Sequence, residues 1–132
     1  MRSVVAAAGA VLVALAAGCG GSAGDVLAIT IMGGPGATHE ALVFTQDGRA
    51  SCNGGPLHEI SNSDLLTALA VVRDAKGYAT HARVYPPGAL GGRRFTLRDS
   101  DGSVSWYETS SGLPSVLPRA EELALRTGRA VC

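Results

Sequence analysis

The sequence predicts an α+β fold: a small antiparallel sheet of about four or five strands carrying two helices, in the order β-β-(β)-α-β-β-α. Three observations predict it. Two stretches, "VLAITIM" and "RRFTLRDSDGSVSWYE", alternate apolar and polar side chains with the period of a half-buried strand. Two others, "SNSDLLTALAVVRDAKG" and "LPSVLPRAEELALRTG", have helical spacing and carry start and stop residues. Between them lie "GGPGA", "NGGP" and "YPPGALGG", whose prolines and glycines break regular structure.

Taken in order, Leu27, Ile29 and Ile31 alternate with Ala28, Thr30 and Met32 in the first strand. "HEALVFTQ" reads as its partner, and Asp47-Gly48 supplies a tight turn. "RASC" extends as a short third strand toward Cys52. The first helix takes Ser61 or Ser63 as N-cap, has Asp64 in its first turn and ends at Gly77. Its apolar stripe is Leu65, Leu69 and Val72, with Leu66 and Ala68. Phe95 and Leu97, then Val104 and Trp106, mark the inward positions of a hairpin near Arg93–Arg98 and Ser103–Glu108. Pro114 or Pro118 suits the first turn of the second helix, and Gly128 follows its end.

Composition narrows the functional classes. The chain has 132 residues, 46% hydrophobic but only 5% aromatic, so its core relies on Val, Leu, Ile and Ala. A modest core of that kind benefits from a covalent staple. Eleven basic and eleven acidic side chains cancel and are scattered, which leaves no electrostatic footprint for nucleic acid. Arginine almost replaces lysine, Lys76 being the single Lys, and Ala and Gly are abundant, as in proteins of GC-rich bacterial genomes.

The N-terminus opens with Met1-Arg2-Ser3 and continues into "VVAAAGAVLVALAA". That apolar run has the length of a signal-peptide h-region and falls short of the roughly 20 residues of a membrane span. Small residues then precede Cys19, and "GGSAG" follows as a flexible linker. The segment "LAAGC", Leu15 to Cys19, resembles the lipobox of bacterial lipoproteins, with Ala16 where leucine is the commonest choice. The resemblance implies cleavage before Cys19, diacylglycerol on its sulfur, acylation of the new amine and a lipid anchor in the cell membrane, on its extracytoplasmic face. An ordinary signal peptide cleaved near Ala17 or after Ala23 is the alternative. Residues 1–18 are thus expected to be a lipoprotein signal peptide, 19–25 a tether and 26–132 one α+β domain; the source expected is bacterial, of the actinobacterial kind.

Lipidation of Cys19 leaves Cys52 and Cys132 to pair in an oxidising compartment, the alternatives being a reactive thiol or a metal site. No C-x-x-C supports the metal site. His39, His58 and His81 form no H-E-x-x-H, and surface positions are their default. "DSDGS" resembles a fragment of a calcium loop without the full oxygen set, so a hairpin turn explains it. There is no G-x-S-x-G elbow and no S-x-x-K, and no pairing of carboxylates points to acid–base work. A non-catalytic chain with no cofactor, no metal and no catalytic residue is expected. Recognition fits better, with Tyr85 and Leu90 in the Pro/Gly loop and Arg93, Arg94 and Arg98 beside Trp106 and Tyr107 as the candidate surface. Trp106 as a core anchor with the arginines on solvated strand faces is the plainer alternative.

The succession of "ITIMGG", "GRRFTLRDSDGSVSWYE" and "LPSVLPRAEEL" looks like the emfourin-type small bacterial inhibitors of thermolysin-like metalloproteases. The resemblance covers most of Val26 to Leu125 and rests on element pattern. It implies a protein or protease partner in the envelope and carries over no inhibitory residue. The cysteine pair, the anchor and the Pro/Gly loop are departures from that pattern. Alternatives of other classes are a small envelope enzyme or ligand carrier, and a purely structural accessory lipoprotein.

Overall fold

The computed structural model describes residues 24–132. Cys19, the signal peptide and most of the expected tether lie outside the described residues. The strands are β1 (Asp25–Gly33), β2 (Thr38–Thr45), β3 (Arg49–Cys52), β4 (His58–Glu59), β5 (Arg94–Asp99) and β6 (Gly102–Tyr107). The helices are α1 (Asn62–Thr80), between β4 and β5, and α2 (Val116–Val131), after β6. All six strands join one antiparallel sheet in the order β4-β3-β2-β1-β5-β6, and the α+β class holds. The expected count of four or five strands is exceeded by one. The addition is β4, whose two residues are too few to show a period.

Alternation decides which face of the sheet is covered. Leu27, Ile29 and Ile31 on β1, and Phe95 and Leu97 on β5, are buried beneath the helices. Leu42, Phe44, Val104 and Trp106 complete that layer, and Phe95 stacks on Trp106 with ring centroids 5.5 Å apart. Among the described residues no helix covers the opposite face. Antiparallel sheets commonly bury one face and hydrate the other.

Ser61 is the N-cap of α1, its hydroxyl accepting the Asp64 N–H at 3.1 Å. The stripe expected on this helix holds at Ala68, which is buried, and at Val72, which packs against the core, and is corrected elsewhere. Ala68, Val71, Ala75 and Ala79 are the buried positions, while Leu66 is 66% and Leu69 42% exposed. Alanines allow the helix axis to approach the sheet closely, and the leucines are rotated outward. Gly77 does not end α1; the helix runs on to Thr80 and is closed by His81, whose Nδ1 lies 2.7 Å from the Gly77 carbonyl oxygen. Gly128 likewise lies inside α2, where a Cβ would come within 2.6 Å of Glu40 Oε2.

The two helices run antiparallel and are clasped at both ends. Arg126 donates to Asp64 Oδ1 at 2.7 Å, and Arg119 donates to Asp74 Oδ2 at 2.7 Å. Arg73, adjacent on α1, also donates to Asp74, and these guanidinium bonds lower its carboxyl pKa from 3.8 to about 2. Cys52, at the end of β3, and Cys132, the C-cap of α2, stand at disulfide distance with Cα atoms 5.4 Å apart. The bond staples the C-terminal helix to the sheet across 80 residues of chain.

Candidate functional site: a groove beside the C-terminal helix

The β6–α2 loop and the outer flank of α2 enclose an open groove of about 450 Å³. Leu113, Pro118 and Leu125 form its apolar wall, and Glu108, Glu121 and Arg129 reach it with charge. Positions 118, 121, 125 and 129 recur at helical spacing, so one face of α2 presents them together. Leu125 and Arg129 also line a second hollow of about 430 Å³, bounded by Ile31, Glu40, Arg93 and Cys132. The two adjoin along the helix, sharing Leu125 and Arg129, and are together called the trough.

Two polar contacts set the trough's walls. Trp106 buries its ring in the core and its indole N–H donates to Glu121 Oε2 at 3.2 Å. Arg93 meets Glu108 through three atoms: its backbone N–H donates to Oε1 at 3.0 Å, its Nε to Oε2 at 2.9 Å, and its Nη2 lies 2.9 Å from the same Oε2. The Arg93 backbone N–H, followed by the guanidinium, holds the Glu108 carboxyl below its usual pKa. Among the described residues Arg129 makes no ion pair. Apolar walls with a few convergent charged groups are the ordinary make-up of a recognition cleft.

The residues expected to form one recognition surface are divided by the fold. Trp106 is fully buried, so it is a core anchor and takes no part in a surface; its place on the inward face of β6 is the reason. Tyr85 is half-buried against the core, whereas Leu90 is 92% exposed in the Pro/Gly loop. Strand alternation sends Arg93 to the trough and Arg94 to the opposite face, where its guanidinium carbon lies 6.0 Å from the Tyr107 ring centroid. Arg98 shares that opposite face. The trough residues Leu113, Pro118, Glu121, Leu125 and Arg129 were missed by sequence reasoning, which took α2 only as a packing helix. Their signal was the i, i+3, i+7, i+11 spacing of 118, 121, 125 and 129, opposite the buried Leu117, Ala120, Leu123 and Ala124.

Among the described residues no group of three His, Cys, Asp or Glu side chains stands close enough to hold a metal ion. Among them, too, no helix is long and apolar enough to cross a membrane. Asp99 Oδ1 accepts the N–H groups of Asp101 and Gly102, closing the "DSDGS" hairpin turn on itself. No protein family, no curated protein and no solved structure matches the chain.

Proposed function

We propose that the protein is a lipid-anchored, non-catalytic module of the bacterial cell envelope that binds a protein or peptide in the α2 trough. The observation that carries the binding half is the trough itself: an apolar wall of Leu113, Pro118 and Leu125 beside Glu121 and Arg129, which forms no ion pair among the described residues. A chain lying along it meets hydrophobic and charged positions in turn. The anchoring half rests on "LAAGC" and Cys19. Several acyl chains at one cysteine hold a protein stably at a membrane where a single chain does not. Inhibition of a thermolysin-like metalloprotease is the most concrete form of the binding, by resemblance of element order alone.

Palmitate labelling in a lipoprotein-processing host tests the anchor: label on the wild type and none on Cys19→Ala is expected, and an unlabelled wild type refutes it. Capture from envelope extracts tests the trough. A partner retained by the wild type and lost with Leu125→Asp, at unchanged circular dichroism, is expected. Equal retention by both moves the site elsewhere, and no retained partner refutes the binding module.

A further inference from the structure

The sheet face turned away from the helices has a charge pattern of its own. One half of it is built by β1, β5 and the edge strand β6 in register: Met32 opposite Arg94 opposite Tyr107, Thr30 opposite Thr96 opposite Ser105, and Ala28 opposite Arg98 opposite Ser103. Val84 bridges to Ser105 and extends the middle row past β6. Met32 is 48% and Val84 62% exposed. This part of the face carries two arginines and no carboxylate; among the described residues neither Arg94 nor Arg98 forms an ion pair. At the far edge Arg49 stands opposite Glu59 and is ion-paired with Asp47, so that edge carries one cation against two carboxylates and the positive part of the face is the β1–β5–β6 half.

We infer that this open sheet face docks on the anionic headgroups of the membrane in which Cys19 is held. The inference rests on the lipid-anchor reading above. Two observations select this occupant. The first is the length of chain outside the structure: Cys19–Ala23 precede Gly24, and β1 begins at Asp25. Even fully extended, six residues reach only about 20 Å, less than the span of a small domain, so the sheet is confined to the membrane surface. The second is charge. Standing on the end where the tether enters would press Asp25, Asp99 and Asp101 toward lipid phosphates. Lying on the β1–β5–β6 half of the open face presents the exposed Arg94 and Arg98, Met32 and the Tyr107 ring instead. Each arginine brought to an anionic surface raises the docked population about fivefold. In that posture the α2 trough, on the other side of the sheet, faces outward to a partner.

Trp106 is the single tryptophan, fixed in β6, and serves as an unlabelled energy donor. The lipidated chain is reconstituted in vesicles of phosphatidylcholine alone or of equimolar phosphatidylcholine and phosphatidylglycerol, each with a dansyl headgroup acceptor. Greater energy transfer in the anionic vesicles is expected, falling to the phosphatidylcholine level in Arg94→Ala/Arg98→Ala. Salt at about 1 M, which cuts the screening length to about 3 Å, is expected to abolish the difference in the wild type. Equal transfer in both vesicle types, or an undiminished difference in the double variant, overturns the docking while flotation with vesicles leaves the anchor intact. Failure to float overturns both.

Discussion

Removing the bond between Cys52 and Cys132 is the perturbation whose size follows most directly from the structure. The bond closes a loop across 80 residues and ties the last residue of the chain to β3. In the chain-entropy description, a closure of that length restricts the unfolded chain by about 4.5 kcal/mol. A domain of this size is stable by about 5–15 kcal/mol, so reduction removes a large share of the whole. The buried ring of Trp106, stacked on Phe95, gives a fluorescence signal for unfolding in urea with and without reductant. With a denaturant slope of about 1.5–2 kcal/mol per molar, the midpoint is expected to fall by roughly 2–3 M. Cys52→Ser/Cys132→Ser should reproduce that fall, and reductant should leave the double variant unchanged. A fall below about 0.5 M would refute the reasoning, because the bond would then not be limiting the unfolded ensemble.

Two further outcomes follow from close contacts and from charge. Gly102 has φ +147° and a Cβ there would collide with the Ala79 carbonyl oxygen at the end of α1, so Gly102→Ala should lose about 2–4 kcal/mol in the same urea assay. A loss under about 1 kcal/mol would mean that the hairpin slides freely from the helix. Asp74, whose pKa is lowered from 3.8 to about 2 by the bonds from Arg73 and Arg119, stabilises the fold above the unfolded value and loses that contribution as pH falls through the folded one. The wild-type midpoint should therefore decline between pH 3.8 and about 2, with a shallower decline in Asp74→Asn. Parallel profiles would remove Asp74 from the acid response.

Strands were legible where alternation was long. Ile29 and Ile31 against Thr30 and Met32, and Phe95 and Leu97 against Thr96 and Arg98, identify both the strand and its buried face. β4 was not legible, because its two residues owe their conformation to the β3 edge they pair with. The inward face of α1 was read correctly at Ala68 but misread at Leu66 and Leu69, because hydrophobicity favours the leucines whereas close packing favours Val71, Ala75 and Ala79. Gly77 and Gly128 resemble helix stops, yet tertiary packing carries both helices through them. The trough escaped notice for a related reason. It is formed where the β6–α2 loop meets α2, and no local pattern states how a loop folds back on a helix.

The place of β1 in the sheet also governs how the molecule bears force. The chain enters the described fold at Asp25, in a strand hydrogen-bonded to β2 on one side and β5 on the other. Under the proposed anchoring at Cys19, tension would enter at Gly24 and act along that strand. It loads the ladders on both flanks in shear, so their bonds resist together instead of unzipping one after another as they would at an edge. Under the proposed anchoring and trough binding, a partner pulled outward from α2 would draw against a strand held in the middle of the sheet.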